Sequence, residues 1–365
     1  MCYNAYADGK AATRIKFLCE NTDFRRKMKL FSVTVPCYNS EGYMRKCIES
    51  LLKGGEETEI IIIDDGSKDG TGKIADEYAE RYPSIVKVLH QENGGHGEGI
   101  NQGILRATGK YFMVVDSDDY LEETALETVL NEMRELEKTG GTDLIITDYV
   151  YDHDDISLNH VISYAKVFKN GKATRWEETG KFRTGTYLTL HSLIYSVEVL
   201  RKSGIVLPKH TFYEDNYFSF YPLKWVDKFK YIGVSLYYYY IGRDGQSVQS
   251  DVWAKRYAMQ VNVSVMVFKG FNLKEELKKN KKRGKYFYHN ALMLMSLATA
   301  AARLNGTEEA EKARLKMWQD CREHDKKLAR KMLYFTPIAF QSMPGKGGRA
   351  FANFLYRTAR RLVKN

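Results

Sequence analysis

Residues 59–67 read EIIIIDDGS and decide the fold. Four consecutive isoleucines leave no polar face, as expected of a strand that is covered on both sides in a parallel sheet. Around this run, apolar stretches alternate with segments of helical spacing: the strands FSVTVPCYN, VKVLHQ and YFMVVDSDD, and the helices EGYMRKCIESLLKG, GTGKIADEYAERYP and GEGINQGILRATG. Strict alternation of strand and helix predicts an α/β fold with a wound, mostly parallel, Rossmann-like sheet.

The later part of the chain changes character twice. A helix, TALETVLNEMRELEKTG, and a strand, DLIITDYVYD, precede a mixture of strands and loops, with a hairpin predicted around Asn170-Gly171. From about residue 251 the spacing is helical. We therefore predict an N-terminal extension over residues 1–28, a sheet domain over residues 29–248 and a basic helical region over residues 249–365.

Charge is distributed unevenly along the chain. The net charge is +10, yet residues 251–365 hold 25 Lys and Arg against 9 Asp and Glu, so the first 250 residues are acidic. This asymmetry indicates that the basic region meets an anionic partner such as lipid, lipid-linked phosphate or nucleic acid. At residues 345–365 a helix would carry aromatic and apolar residues on one face and arginines on the other, which is typical of a membrane-surface helix. A solvated surface, or packing on the protein's own body, is the alternative.

Cysteine usage and hydropathy bear on the cellular location. The five cysteines are scattered, odd in number and never spaced as CxxC, so we expect neither a disulfide framework nor a structural zinc site. The N-terminus lacks the apolar segment of a secretory signal, and the longest apolar run, ALMLMSLATAA, is about half of a membrane span. We expect a cytoplasmic protein, with peripheral contact at the inner face of the cell membrane through residues 345–365.

Polar clusters follow all four strands of the predicted sheet. They are PCYN at residues 36–39, DDGS at 64–67, QENGGH at 91–96 and DSDD at 116–119. Ligands of open wound sheets bind beyond the carboxyl ends of the strands, so these clusters should share one edge. The carboxylates of Asp116, Asp118 and Asp119 suit Mg²⁺ or Mn²⁺. The alternative is that Asp119 and one of the other two cap the helix beginning near Glu122, and for Asp119 we expect this capping role.

Two glycine-rich stretches resemble phosphate-binding loops without matching them. GGHGEG fails the GxGxxG spacing in either register, and GSKDGTGKI lacks the first glycine and the Ser or Thr that a P-loop requires. The sequence therefore predicts neither a dinucleotide fingerprint nor a P-loop.

Four motifs together identify a family. VPCYN, DDGSKDGT, ENGGHGEGINQGI and ATGKYFMVVDSDD, in this order and spacing, closely resemble the family 2 glycosyltransferases, the inverting enzymes of the GT-A fold. The resemblance covers residues 31–130 strongly and residues 191–248 moderately. It implies that residues 29–248 form a GT-A catalytic domain. Such a domain moves a sugar from a nucleotide-sugar donor, here expected to be UDP-linked, to a glycan or lipid-linked acceptor in cell-surface polysaccharide synthesis.

The resemblance also implies where the donor binds. The residues that match the family's nucleotide-sugar site are Pro36, Tyr38, Asn39, Glu41, Asp65, Gly94, Gly95, His96, Asp116 and Ser117. Among them, Tyr38 would stack on the base and Asp65 would accept the uracil N–H. The DxD signature falls on Asp116 and Asp118, which would hold Mn²⁺ or Mg²⁺ against the diphosphate.

The sequence departs from the family at one position of this site. Many relatives carry Arg where this chain has Ile100, so the arginine's contact with phosphate or base cannot be transferred. His96 is a candidate replacement, and a surface or capping role is the alternative.

The resemblance also implies a catalytic base in a second acidic motif. HTFYEDNYFSF matches the segment in which the family carries an Asp that takes the acceptor's proton, which implies Asp215, with Glu214 as the neighbour able to substitute. The alternative is that Asp215 caps a helix beginning near Asn216. By the same resemblance His191 and Arg243 would line the acceptor site, although each alone fits a structural role.

Other functions fit parts of the sequence. A sugar nucleotidyltransferase shares the sheet and the metal, but it would carry a Gly-rich, Arg-containing loop after the first strand, and VPCYNSEGY has none. A degenerate GT-A scaffold or binding module without turnover is the non-enzymatic alternative. Nucleic-acid binding by the basic region is not expected, because it contains no recognised nucleic-acid module.

Overall fold

The computed structural model describes residues 29–183, 185–242, 250–343, 345, 347–352, 354 and 358. The predicted extension over residues 1–28 and the predicted boundary after residue 248 lie outside them. Ten strands of the described residues form one sheet. They are β1 (Phe31–Cys37), β2 (Thr58–Asp64), β3 (Val86–His90), β4 (Tyr111–Val114), β5 (Tyr120–Leu121), β6 (Leu144–His153), β7 (His160–Ile162), β8 (Ala173–Arg175), β9 (Leu193–Ser196) and β10 (Lys228–Ile241).

Helices follow the strands and then take over the chain. Those between the strands are α1 (Met44–Leu52), α2 (Thr71–Arg81), α3 (His96–Arg106), α4 (Glu123–Lys138), α5 (Val197–Ser203) and α6 (Asp215–Phe220). The C-terminal set is α7 (Ser250–Lys255), α8 (Tyr257–Lys269), α9 (Leu273–Lys279), α10 (Lys281–Asn305), α11 (Glu308–His324), α12 (Lys326–Tyr334) and α13 (Ile338–Gln341). The predicted alternation of strand and helix through β4 and the helical character of the C-terminal region are confirmed, whereas β5 was not predicted.

The first four strands build the parallel half of the sheet. β1 pairs in parallel with β2 and with β4, and β2 pairs in parallel with β3. All seven residues of β2 are buried, which explains why its sequence has no polar face. The carboxyl ends of these strands therefore lie at one edge, as predicted from the alternating pattern.

The second half of the sheet is mixed. The strand order is β3-β2-β1-β4-β9-β6-β10-β5, with β9 antiparallel to both β4 and β6 and with β10 parallel to β6. β5 pairs antiparallel with β10, with Tyr237 opposite Leu121. This pairing draws the tyrosine-rich end of β10 to the turn that follows β4.

The hairpin predicted at Asn170-Gly171 is wrong. Gly171 makes a turn with φ of 70°, but β8 pairs with β10 and not with the preceding segment. That segment is used for packing instead, because Phe168 is buried against Phe229 and Tyr231 with ring centroids 5.7 and 6.1 Å away.

The C-terminal helices pack on the sheet domain through α10. Its Tyr286 and Phe287 meet Trp176 of the sheet domain with ring centroids 5.7 and 6.3 Å away. On the same helix the buried Arg283 donates from Nε to Glu276 Oε2 at 2.9 Å. Among the described residues, no helix combines the length and the apolar character needed to cross a bilayer.

Candidate active site

Asp65 organises the edge of the sheet beyond β2. Its carboxylate accepts hydrogen bonds from the backbone N–H groups of Gly94 and Gly95 at 2.8 and 2.7 Å, and from Gln91 Nε2 at 2.7 Å. Gly95 has a φ of 84°, which favours glycine, and a Cβ there would lie 2.8 Å from His210 N. Asp65 therefore holds the glycine loop in place, while its contact with a nucleotide base stays a prediction.

A cavity of about 490 Å³ opens beside this loop. Tyr38 is half exposed at its rim. The lining residues are Tyr38, Gly66, Lys68, His90, Gln91, Glu92 and Asn93. An aromatic face and convergent polar groups around such a volume suit a planar heterocycle with a ribose.

The other residues predicted at the donor site interlock the loops around this cavity. Asn39, with a φ of 50°, accepts the Lys68 N–H through Oδ1 at 2.8 Å. Glu41 accepts the Gly70 N–H at 2.5 Å. Ser117 Oγ is hydrogen-bonded to Ser40 Oγ at 2.9 Å. Pro36 packs against α3 at Gly99, and a Cβ on residue 99 would lie 2.9 Å from Pro36 Cβ.

The turn after β4 is anchored from β10. Asp119 is buried and accepts from Tyr237 Oη at 2.5 Å and from the Tyr240 N–H at 2.9 Å. Tyr237 Oη in turn accepts the Asp116 N–H at 3.1 Å. The helix cap expected of Asp119 is wrong, because Glu122 accepts the first free N–H groups of α4 instead. Burial and the neighbouring acids Asp116 and Asp118 raise the pKa of Asp119 well above its usual range.

His191 joins this turn from the other side. Its ring packs on Tyr239 and Tyr237 with centroids 4.7 and 4.8 Å away. Burial lowers the pKa of His191 to about 4, so its imidazole is neutral, which is the metal-binding form. One ligand atom each of His191, Asp116 and Asp119 lies within 4.8 Å of the others.

This group fits a divalent cation. His191 Nδ1 is buried and has no hydrogen-bond partner in the described part of the chain. A bound cation would give this nitrogen the polar partner that buried polar atoms usually have. From the sequence, His191 was expected at the acceptor site and Asp119 was expected to cap a helix, so neither was predicted as a ligand. Asp118, the second predicted ligand, is half-buried and lies outside this three-residue group.

His96, the first residue of α3, lies between two carboxylates. Its Nε2 is 2.8 Å from Asp116 Oδ1 and its Nδ1 is 2.7 Å from Glu214 Oε1. Burial would lower the pKa of His96, but these carboxylates outweigh it and raise the pKa well above its usual range. The surface or capping alternative is wrong, because Gly95 is the N-cap and the ring bonds inside the site.

Glu214 and Asp215 begin α6 beside His96. Glu214 is buried and occupies the N-cap position, so Asp215 does not cap this helix as the alternative required. Asp215 is half-buried, and Asn216 Nδ2 donates to its Oδ1 at 3.0 Å. Burial and the nearby carboxylate of Glu214 raise the pKa of Asp215 to about 7, with Asp116 adding to the rise and His96 opposing it. Arg243 lies outside the described residues.

Comparison with known proteins agrees with this arrangement. The family model for glycosyl transferase family 2 matches residues 32–194. Glycosyltransferase GlyG of Streptococcus pneumoniae is 40% identical over 133 residues, which are 36% of this chain and 42% of GlyG. The putative glycosyltransferase EpsH of Bacillus subtilis is 32% identical over 216 residues, which are 58% of this chain and 60% of EpsH. This chain thus aligns with about half of each of these relatives.

A solved structure shares the fold. Residues 1–349 of TarS from S. aureus, in complex with UDP-GlcNAc, superpose with a TM-score of 0.60 at 19% identity, over 92% of this chain and 91% of that one. At this identity the likeness establishes the GT-A fold alone. The predicted fold class, a wound α/β sheet with a helical C-terminal region, is confirmed.

Proposed function

We propose that the protein is an inverting glycosyltransferase that uses a UDP-sugar, because the family model for glycosyl transferase family 2 matches residues 32–194. The observation that carries the proposal is the position of Asp215, a half-buried carboxylate directly after Glu214, which His96 links to Asp116 at the donor edge. Burial and the nearby carboxylate of Glu214 raise the pKa of Asp215 to about 7. A carboxylate with a pKa near neutrality is suited to accept a proton at physiological pH. The acceptor in this proposal is a glycan or lipid-linked glycan of the cell surface.

The donor occupies the edge between β1, β2 and β4. Its base stacks on the exposed face of Tyr38, in the 490 Å³ cavity, and its diphosphate points toward Asp116. TarS, which shares the fold, was crystallised with UDP-GlcNAc, and this favours uracil as the base. The glycine loop that Asp65 holds lets the nucleotide approach the backbone.

Mn²⁺ or Mg²⁺ is the cofactor in this account. We propose Asp116 and Asp118 as its ligands, with Asp119 and His191 as further candidates. An imidazole nitrogen in the set favours Mn²⁺ over Mg²⁺, which takes oxygen ligands. When bound, the cation supplies positive charge that stabilises the leaving diphosphate.

Asp215 performs the protein's own step of the reaction. It takes the proton of the acceptor hydroxyl while the hydroxyl oxygen attacks the anomeric carbon from the face opposite the diphosphate. The bond to the diphosphate breaks as the new glycosidic bond forms, so the configuration inverts. The half-buried rings of Tyr187 and Tyr239 lie near these acids and are candidates for the surface on which the acceptor sugar stacks.

Titration calorimetry of UDP, GDP and dTDP tests the donor proposal. We expect UDP to bind in Mn²⁺ and to lose at least about tenfold in affinity in EDTA, because charge–charge contacts with diphosphate are worth several kcal/mol. Asp118→Asn should reproduce the effect of EDTA, and Glu80→Gln, an exposed acid on α2, should not. Preferential binding of GDP or dTDP would reject UDP, and no binding of any nucleotide would reject the transferase proposal.

Activity should rise with pH through the titration of Asp215. The base works when ionised, so below its pKa the rate should fall about tenfold per pH unit. The groups that face it are Glu214, Asp116, His96 and Tyr187. A cation bound near Asp116 would lower the pKa, so we expect a midpoint at or below about 7. Asp215→Asn should lack this acidic limb, so a limb of kcat/KM with the same midpoint in wild type and Asp215→Asn would contradict the assignment.

We also propose that the C-terminal part of the chain contacts an anionic membrane surface. Of the predicted segment 345–365, only residues 345, 347–352, 354 and 358 are described. The adjacent helix α12 supports the proposal, because its outer face is exposed and carries Lys326, Lys327, Arg330, Lys331 and Tyr334. Phe335 follows at 82% exposure. Cations beside exposed aromatic rings are typical of proteins that bind at a lipid interface.

Vesicle sedimentation tests this contact. The full chain should pellet with vesicles of phosphatidylglycerol and phosphatidylcholine and stay in the supernatant with phosphatidylcholine alone. The pair Lys327→Glu and Arg330→Glu should weaken binding at least about tenfold, since each cation near the surface contributes about 1 kcal/mol. Lys312→Glu with Lys316→Glu, exposed on α11, is the matched control. Equal sedimentation with both vesicle types would contradict an electrostatic contact.

A further inference from the structure

His96 connects the two halves of the site. One ring nitrogen is hydrogen-bonded to Asp116 at the end of β4, and the other to Glu214 at the start of α6. We propose that His96 is a positioning residue that fixes the donor-side carboxylate relative to the catalytic base; this rests on the function proposed above. As the ring is placed, neither nitrogen remains to contact a phosphate directly, so the role differs from the replacement for arginine that the sequence suggested.

The glycines around His96 bring it into this position. Gly95, in its left-handed conformation, precedes it. Gly97 follows it, and a Cβ there would lie 3.0 Å from Glu214 Cγ. The close approach of α3 to Glu214 therefore depends on a residue without a side chain, and it places the imidazole between the two acids.

Other bonds already dock the segment that leads to the base. Asn101 bonds both backbone groups of Leu207, at 2.8 Å to the N–H and 2.9 Å to the carbonyl. The His210 N–H donates to the Gly94 carbonyl at 2.9 Å. Because these contacts hold residues 207–210 without His96, losing the imidazole should leave the segment docked and the fold intact.

The imidazole fixes the position of Glu214 and, through it, that of Asp215. Glu214 is 2% exposed, and a buried carboxylate that loses its hydrogen-bonded partner must move or take up a proton. Asp215 follows it directly in the first turn of α6, so a shift of Glu214 displaces the base. Asp116 loses its bond to Nε2 at the same time, and the donor and the base lose their fixed separation.

Steady-state kinetics of His96→Ala, Glu214→Gln and the double variant test the proposal. We expect His96→Ala to lower kcat about 10²-fold, the usual cost of misplacing reacting groups by about 1 Å. The KM for the UDP-sugar and the affinity for UDP should change less than about threefold, because His96 makes no contact that binds the donor equally in the ground state and the transition state. His96→Gln, which keeps one donor, should recover part of the loss. The double variant should be no slower than the slower single variant, because both substitutions remove the same hydrogen bond between His96 and Glu214.

Three results would overturn the proposal. The first is a kcat of His96→Ala within about twofold of the wild type. The second is a raised KM of His96→Ala with unchanged kcat, which would indicate that His96 contacts the donor directly. The third is a loss of kcat in the double variant equal to the product of the two single losses, which would indicate independent roles. Thermal unfolding of each variant distinguishes lost positioning from lost folding.

Hydrogen exchange separates this proposal from the proposed function. In His96→Ala, amide exchange should rise in the first turn of α6 and stay unchanged in α2, whether or not any sugar nucleotide is turned over. Unchanged exchange in α6 would reject the positioning role even in an inactive protein. If the wild type showed no turnover but His96→Ala showed the expected rise in exchange, only the proposed function would be rejected.

Discussion

Replacing Asp215 with Asn should lower kcat about 10²- to 10⁴-fold, the contribution of a general base, while UDP affinity stays within about threefold. The amide cannot accept the acceptor's proton at neutral pH. It keeps an oxygen for the bond from Asn216 Nδ2, now 3.0 Å from Asp215 Oδ1, so the helix start is preserved. Initial rates of UDP release and calorimetric titration of UDP measure the two quantities on one preparation.

Two further variants decide whether the effect belongs to Asp215. Glu80→Gln, exposed on α2, should be as active as the wild type. Glu214→Gln should be less active through misplacement of Asp215, yet more active than Asp215→Asn. If Asp215→Asn turned over normally and Glu214→Gln did not, the base would be Glu214. If both were as active as the wild type, the assigned reaction would be wrong.

Replacing Glu59 with Ala should lower the free energy of unfolding by about 3–5 kcal/mol, because several donors lose one buried carboxylate acceptor and each unsatisfied buried group costs about 1–3 kcal/mol. Glu59 is fully buried in β2. Its Oε1 accepts from Ser32 Oγ at 2.5 Å and from the N–H groups of Thr108 and Gly109 at 2.5 and 3.1 Å. Its Oε2 accepts from Lys87 Nζ at 2.5 Å and from Thr108 Oγ1 at 2.8 Å. Alanine would remove the acceptor of the Ser32 hydroxyl and of the Thr108 N–H and hydroxyl, between α3 and β4, whereas the Gly109 N–H keeps its bond to Ser32 Oγ at 2.8 Å.

A conservative variant separates charge from hydrogen bonding at this site. Glu59→Gln can keep an oxygen where Oε1 lies and donate an amide N–H to Thr108 Oγ1, so it should lose about 1–2 kcal/mol, mainly the bond to Lys87. Glu57→Ala breaks an exposed pair with Arg134 and should cost at most about 1 kcal/mol. Urea unfolding measures all three. A loss for Glu59→Ala no larger than that for Glu57→Ala would contradict the network's importance.

Local patterns in the sequence predicted the parallel half of the fold. The isoleucines of β2 have no polar face because helices and neighbouring strands cover both sides, and each helix from α1 to α4 shows its own periodicity. Since parallel strands align their carboxyl ends, the positions of Asp65 and Asp116 at one edge followed without knowledge of function. Such features follow from residues close together in sequence or from the shared direction of parallel strands, so a single sequence is enough to predict them.

Long-range partners were not predictable in the same way. Asp119 appeared to be a helix cap, because nothing near it in sequence indicates that Tyr237, 118 residues later, donates to it at 2.5 Å. His191 carries no motif, and its place beside Asp116 arises only when β9 inserts antiparallel between β4 and β6. His96 was recognised as unusual, but its second partner, Glu214, is also 118 residues away.

Inverting transfer from a UDP-sugar is tested most directly by assaying transfer from UDP-, GDP- and dTDP-sugars to a panel of octyl glycosides, with the configuration of the product determined by NMR. We expect UDP release from a UDP-sugar in Mn²⁺, loss of release in EDTA and in Asp215→Asn, and a glycosidic bond of configuration opposite to the donor's. Retention of configuration, or no nucleoside diphosphate from any donor under either condition, would contradict it.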